Sequence, residues 1–209
     1  LFICSAVPMT LMLFLLEKKP RMTILYMLIG QVICLLAAQM NYLLRDLFYG
    51  AEYNTYAVTV TVTPLVEEFL KALPIIYFGF VISHKKEDLM NVAMALGIGF
   101  AILENFYILV VDTEAVTIGW ALMRGFSSAL LHGICTSLVG YGVSYVKSRK
   151  KLFYTGTFGL LTMAIILHGL FNAFIQSQYA YIGVILPIAI YIPFVIIPFL
   201  KQKTPPKVK

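Results

Sequence analysis

Residues 90–111 read MNVAMALGIGFAILENFYILVV, a run in which Glu104 is the one charged side chain. About 20 apolar residues in an α-helix cross the ~30 Å hydrocarbon core of a bilayer, so this run predicts a transmembrane helix. The whole chain has the same character: 60% of its 209 residues are hydrophobic and 12% are charged. A soluble domain has about 25% charged residues. The composition therefore predicts a polytopic membrane protein and excludes a disordered chain, a disulfide-rich secreted module and a nucleic-acid-binding protein.

Apolar runs of membrane-spanning length recur along the chain between short polar breaks. They predict seven transmembrane helices, over 1–16, 22–44, 56–83, 90–111, 118–146, 152–175 and 181–200. The first run lacks the basic n-region and the small-residue cleavage site of a signal sequence, so we expect it to be a membrane helix. The expected fold is an all-α membrane helix bundle that forms a single domain over 1–209.

The basic residues of the polar breaks give the topology. Thirteen of them fall on one side of the membrane, and Arg45 falls on the other. The thirteen are Lys18, Lys19, Arg21, Lys85, Lys86, Lys147, Arg149, Lys150, Lys151, Lys201, Lys203, Lys207 and Lys209. Because an excess of Lys and Arg marks the cytoplasmic side, we expect the N-terminus outside and the basic tail 201–209 in the cytoplasm.

Five charged residues fall inside the predicted helices, which is many for a small membrane protein. Each costs about 2.5–3.5 kcal/mol at the centre of a membrane helix, so each is a functional candidate. They are Glu67, Glu68, Lys71, Glu104 and Arg124.

The third run contains Thr63-Pro64-Leu65-Val66-Glu67-Glu68-Phe69-Leu70-Lys71. Proline suits a first helical position and threonine the N-cap, so we expect the helix to begin at Pro64. Glu67 and Lys71 share a helix face, which predicts an ion pair. Two adjacent carboxylates in a dry site do not both ionise readily, so the second glutamate predicts one acid and one base. A pair that only holds helices together is the alternative interpretation.

Further polar residues follow in the next three runs. Asn105 comes after Glu104 in a glycine-containing helix, and small residues such as Gly97 and Gly99 let a neighbouring helix approach closely. Arg124, Ser128 and His132 lie at spacings of four on the fifth run, and His168 and Asn172 do so on the sixth. By helical rise, all of these groups fall at the midplane or in the outer half of the membrane. This placement predicts one water-filled pocket that opens outward.

These motifs resemble the PrsW family of intramembrane proteases, which is related to the CAAX protease and bacteriocin-processing superfamily. The matching elements are E-E-x-x-K at Glu67 to Lys71, the Glu104-Asn105 pair, Arg124 followed by His132, and H-x-x-x-N at His168 to Asn172. They occur in family order over residues 63–175. The CAAX branch instead has a more distant arginine and a Phe-x-x-x-His spacing, which this sequence lacks.

The resemblance implies hydrolysis of a peptide bond in single-pass membrane proteins, such as anti-sigma factors, within a bacterial or archaeal cell membrane. Such hydrolysis needs an activated water, donors for the oxyanion and a proton for the leaving amine. We expect Glu67 to deprotonate a water held by His132, and His168 and Asn172 to donate to the oxyanion. Glu68 serves as proton donor or second anchor. Supporting roles are expected for Lys71, Glu104, Asn105 and Arg124.

The cofactor is left open by the sequence. Glu67, His132 and His168 are candidate ligands for a zinc ion, because two imidazoles and a carboxylate leave one position for water. The sequence has no HExxH motif, so spacing does not dictate a metal. A metal-free glutamate mechanism fits the same residues.

The same polar cluster suits other membrane functions. A proton-coupled transporter or channel also concentrates Glu, His, Lys and Arg within a bundle, but its path connects both faces. No ionisable residue is predicted deep in the cytoplasmic half of the runs, which disfavours this alternative. A retinal-type receptor with Lys71 as the Schiff base and a non-catalytic scaffold are more remote alternatives.

Overall fold

The computed structural model of the protein describes residues 20–49, 54–111, 117–145 and 150–203. The expected first run, 1–16, and the side chain of Arg124 lie outside this description. Within the described ranges the chain is helical and contains no strand. The expectation of an all-α fold is therefore confirmed for the described part of the chain.

Six helices follow one another in the described ranges, where the sequence predicted seven over the whole chain. They are α1 (Pro20–Tyr49), α2 (Thr55–Tyr77, ending in a π-helical turn, Phe78–Ile82), α3 (Lys86–Val111), α4 (Ile118–Met123, a π-helical turn at Arg124–Ser128, then Ala129–Val143), α5 (Lys150–Ile175) and α6 (Ala180–Lys203). The expected seventh, run 1–16, is the one outside the described residues. The bounds of the six agree with the predicted runs to within a few residues.

Among the described residues, four stretches are long and apolar enough to cross a membrane: Pro20–Leu47, Lys86–Val111, Ile118–Val143 and Phe153–Ile175. Helix α2 is of similar length but carries Glu67, Glu68 and Lys71, which lower its hydropathy. A shorter apolar stretch, Ala180–Pro193, lies in α6. The protein is thus a multi-pass membrane protein, and three of its buried charged side chains lie on α2.

Helix α2 begins earlier than the sequence suggested. The side chain of Asn54 caps it by accepting a hydrogen bond from the N–H of Ala57 at 3.1 Å. The expected start at Pro64 is wrong, because packing in the bundle overrides the weak helix propensity of the β-branched residues before it. Pro64 therefore lies inside the helix. Since proline has no N–H, the carbonyl of Val60 lacks its usual partner within the helix.

Glycines set the distance between α3 and its neighbours. A Cβ on Gly99 would collide with the backbone of Met27 in α1, and a Cβ on Gly97 would collide with the carbonyl of His132 in α4. The prediction that these glycines allow close approach is confirmed. Gly97 has a direct consequence for function, because it brings α3 against the turn of α4 that carries His132.

A buried apolar cluster fills the bundle between Lys71 and the α2–α3 connection. It includes Ile75, Phe78, Leu89, Leu96 and Val139, each at most 3% exposed. The ring of Tyr26 packs edge-on against Phe78 with centroids 5.3 Å apart. This cluster separates the polar residues of α2 from the end of the bundle at which α2 and α3 join.

Candidate functional site

Polar side chains from four helices meet inside the bundle. Helix α2 contributes Glu67, Glu68 and Lys71, α3 contributes Glu104, α4 contributes His132 and α5 contributes His168. Five of the six are nearly inaccessible: Lys71 is 0% exposed, Glu68, His132 and His168 are 1% exposed and Glu67 is 5% exposed. So many buried polar groups persist in an apolar bundle only when they are paired with one another.

Lys71 lies at the centre of this cluster. Its Nζ is 2.6 Å from Oε1 of Glu68 and 2.8 Å from Nδ1 of His132. The same nitrogen lies 4.4 Å from the centre of the Phe100 ring, over its face. The sequence predicted Glu67 as the ion-pair partner, but the direct partner is Glu68, three residues before the lysine. Both spacings place two side chains on one helix face, so periodicity cannot distinguish them.

The carboxylate of Glu68 joins Lys71 to the second buried histidine. Its Oε1 lies 2.8 Å from Nδ1 of His168. On the other side of this ring, Nε2 is 3.8 Å from Oε2 of Glu67. The two imidazoles of His132 and His168 pack edge to face, with centroids 4.7 Å apart. The structure therefore brings these predicted site residues together inside the bundle.

Glu104 makes the next contact in the cluster. Its Oε2 lies 3.1 Å from Nε2 of His132 and accepts a hydrogen bond from Oγ of Ser128 at 3.2 Å. Ser128 and His132 are one turn apart on α4, as their spacing predicted, and both reach the same carboxylate oxygen. With 20% of its side chain exposed, Glu104 is the most accessible member of the cluster. The sequence could not predict this contact between α3 and α4, and it predicted only a supporting role for Glu104.

Helix α5 meets α2 where Pro64 interrupts the hydrogen bonding of α2. The carbonyl of Val60, freed by the proline, faces Gly169, where a Cβ would lie only 2.7 Å from the carbonyl oxygen. One turn further along α5, the Nδ2 of Asn172 donates to the carbonyl of Thr59 at 3.0 Å. Gly169 and Asn172 therefore fix the position of His168 relative to the two glutamates.

A cavity of about 680 Å³ leads to the cluster between α1, α2 and α3. It extends from Arg45, Thr55 and Val110, near one end of the bundle, to Glu67 and Glu104. Its walls are mainly apolar and include Cys34, Leu103 and Phe106. At the mouth, the guanidinium of Arg45 lies 4.5 Å from the centre of the Tyr42 ring. Glu67 and Glu104 line this cavity, whereas Glu68 lies behind them.

Asn105 and Arg124 were also expected to support the site. Asn105 is fully buried on α3 beside Glu104. Arg124 begins the π-helical turn of α4, and its side chain is outside the description. π-Helical turns often occur near functional sites, and this one ends at Ser128, whose hydroxyl contacts Glu104.

The donor set fits a zinc ion. Glu67, His132 and His168 each offer one ligand atom, and these atoms lie within 4.8 Å of one another. Ligand atoms at the usual zinc distances would lie about 3.4 Å from one another, so a small inward movement of these three side chains would bring their ligand atoms to a shared ion. Glu68 accepts from Nδ1 of His168, which is how a carboxylate orients a metal-binding imidazole. At His132, however, both ring nitrogens already have partners, Lys71 and Glu104.

Comparison with known proteins identifies the family. The sequence profile described as "PrsW family intramembrane metalloprotease" matches residues 18–198, most of the chain. The chain belongs to the PrsW family. It is also similar to Protease PrsW of Clostridioides difficile (strain 630), with 25% identity over 207 residues that cover 92% of this chain and 86% of that protein. No solved structure matches the chain. The resemblance inferred from the motifs is confirmed, and the protein is a multi-pass intramembrane protease of the PrsW family.

Proposed function

We propose that the cluster of Glu67, His132 and His168 is the hydrolytic site of this protease. The observation that carries the proposal is the position of the cluster: three buried side chains with ligand atoms within 4.8 Å of one another, beside the inner end of a cavity. Ionisable groups are costly inside a membrane, and this arrangement supplies what peptide hydrolysis needs.

Glu67 is the general base in this proposal, because its carboxylate lines the cavity through which water arrives. It takes a proton from the water as the water attacks the peptide carbonyl, and it returns this proton to the leaving amine as the C–N bond breaks. Glu68 is an anchor and not a proton donor, since it is 1% exposed and already binds Lys71 and His168. Lys71 balances the charge of this carboxylate.

The tetrahedral oxyanion needs hydrogen-bond donors. Nδ2 of Asn172 has two hydrogens, of which one is donated to the carbonyl of Thr59. The second is available to substrate. Asn105 and Arg124 remain proposed supporting residues.

A zinc ion would be held by Glu67, His168 and His132, and Nε2 of His132 would have to give up its contact with Glu104 to join them. Bound there, it would supply Lewis-acid polarisation of the carbonyl and a water of lowered pKa. Purified protein analysed by mass spectrometry for metals should contain close to one equivalent of zinc. His168→Ala should lose it, and His84→Ala, which changes an exposed histidine elsewhere, should keep it. Activity that persists in metal-free protein would favour the glutamate mechanism.

We infer that the substrates are single-pass membrane proteins of the anti-sigma-factor type, cut near the outer leaflet. The cavity begins at the end of the bundle that carries Arg45 and Thr55, the outer end in the topology given by the basic residues. A helical substrate hides its carbonyls in backbone hydrogen bonds. The substrate must therefore unwind before an extended segment can reach Glu67.

A proton-coupled transporter is the alternative function. It would need a polar path to the opposite face, where the apolar cluster around Ile75, Phe78 and Leu96 lies instead. Together with the family assignment, this favours hydrolysis.

Proteolysis by purified protein in liposomes tests the proposal. Glu67→Gln and His132→Ala should each abolish cleavage of a single-pass reporter while the protein remains folded. Matched controls are Glu87→Gln and His84→Ala, which make the same changes at exposed positions near the start of α3. Full activity in Glu67→Gln or His132→Ala would exclude these residues from the site.

A further inference from the structure

The ammonium group of Lys71 has three partners inside the protein. An ammonium has three hydrogens and no lone pair. The partners of Nζ are Oε1 of Glu68 at 2.6 Å, Nδ1 of His132 at 2.8 Å and the face of Phe100, whose centre is 4.4 Å away. Because the lysine can only donate, Nδ1 of His132 must be the acceptor. The proton of this neutral ring then lies on Nε2, 3.1 Å from the carboxylate of Glu104, which accepts it.

Glu68 favours the opposite tautomer in His168. Its Oε1 already accepts from Lys71 and, as a carboxylate oxygen, also accepts from Nδ1 of His168 at 2.8 Å. The proton of the His168 ring therefore lies on Nδ1. Its Nε2 carries a lone pair, which lies beside Oε2 of Glu67 at 3.8 Å.

We propose that Lys71 and its ion-pair partner Glu68 are positioning residues that hold His132 and His168 in opposite tautomers: Lys71 sets the proton of His132 on Nε2, and Glu68 sets the proton of His168 on Nδ1. The juxtaposition that carries this proposal is Lys71 between His132 and Glu68, with His168 on the same Glu68 oxygen. The functional meaning of this arrangement rests on the proposed hydrolytic site.

The two histidines then have different tasks. His168 presents a lone pair next to Glu67, so it is the ring prepared to bind a metal ion or to accept a hydrogen bond from water. His132 donates its N–H to Glu104, which lines the cavity, so it is the ring that orients the Glu104 carboxylate beside the site. This reverses the sequence expectation, in which His168 donated to the oxyanion.

Nitrogen NMR on histidine-labelled protein tests the tautomers directly. The chain has three histidines, and the third, His84, is exposed in the α2–α3 connection, so His84→Asn identifies its signal. Full-length ¹⁵N-histidine protein in nanodiscs, treated with a chelator, should show one buried ring protonated on Nε2 and the other on Nδ1. The same protonated nitrogen on both rings would overturn the proposal.

Variants separate Lys71 from Glu104, which also favours a proton on Nε2 of His132. Glu104→Leu removes the acceptor and leaves the lysine, so His132 should keep its proton on Nε2. Adding Glu68→Gln and Lys71→Met, which remove the buried ion pair together, should release the ring into a mixture of tautomers. His168 should stay protonated on Nδ1 against the amide oxygen of Gln at position 68, and this signal reports correct folding.

A shift of the His132 proton to Nδ1 in Glu104→Leu alone would show that Lys71 does not set the tautomer. If the variant that combines Glu104→Leu, Glu68→Gln and Lys71→Met does not fold, the spectra of the wild type and of Glu104→Leu alone still test whether Lys71 sets the tautomer of His132. The measurement needs no substrate, so the two proposals fail separately. Proteolysis together with identical tautomers would refute the role of Lys71 and leave the hydrolytic site standing.

Discussion

Gly169 provides a sharp test of how α5 positions His168. Replacing it with alanine places a Cβ 2.7 Å from the carbonyl oxygen of Val60, whereas ordinary contact begins near 3.4 Å. Because the obstacle is backbone, α2 and α5 must separate locally by about 0.7 Å. A shift of that size would stretch the 2.8 Å contact between His168 and Glu68 to the limit of a hydrogen bond.

The expected effect on activity exceeds the effect on stability. Overpacking typically costs about 1–3 kcal/mol, and alanine regains about 1 kcal/mol of helix propensity over glycine. The net loss of unfolding free energy should therefore be about 0–2 kcal/mol. A displacement of about 1 Å at a catalytic group costs roughly a hundredfold in rate, so Gly169→Ala should lower kcat/KM by about ten- to a hundredfold.

The assay is cleavage of a single-pass reporter in liposomes, paired with thermal unfolding of the same samples. Gly159→Ala is the matched control on the same helix, because its new Cβ would meet no atom within 4 Å. It should keep wild-type activity and gain up to about 1 kcal/mol. Wild-type kcat/KM in Gly169→Ala would refute the reasoning, as would an equal loss in Gly159→Ala.

Three further predictions concern charge, topology and substrate. Lys71→Met or Glu68→Gln alone should lower the free energy of unfolding by about 3–5 kcal/mol, because each leaves a buried charge unpaired, and the double variant should lose less than the sum. Denaturation in mixed micelles measures these losses, and additive losses would contradict the pairing. In a background without native cysteines, a cysteine at Arg149 should resist an impermeant maleimide in intact cells while one at Glu114 reacts; labelling at Arg149 would reverse the topology. Gly or Pro in the outer end of a substrate helix should speed cleavage and a poly-Leu helix should slow it; equal rates would argue against unwinding.

Much of the helical framework could be predicted, because membrane spans depend on apolar length and the polar breaks are clear. The described helices end close to the predicted limits, and the intramembrane Glu, Lys and His residues do meet. These positions follow from the cost of burying polar groups in hydrocarbon, which makes each one conspicuous in the sequence.

The detailed pairing could not be predicted, because it depends on how helices pack. Glu67 and Glu68 both lie within reach of Lys71 by spacing, and only the rotation of α2 against α4 and α5 selects Glu68. The start of α2 was misplaced because Pro64 fits a helix start locally, while Asn54 provides the actual cap. The contact of Glu104 with His132 joins two helices and leaves no periodic signal in either.

Mapping the cleavage site tests the central claim most directly. The cluster lies about 10 Å along α3 and α5 from Val111 and Ile175, measured from Glu104 and His168 at the helical rise, and the basic residues predict that these helix ends face outside. Purified protein should therefore cut a single-pass reporter in the outer half of its membrane helix or just outside it, and Glu67→Gln should yield neither product. Mass spectrometry of the product ends gives the answer. A cut in the cytoplasmic third of the substrate helix, or the same products from Glu67→Gln, would contradict a hydrolytic site at Glu67, His132 and His168.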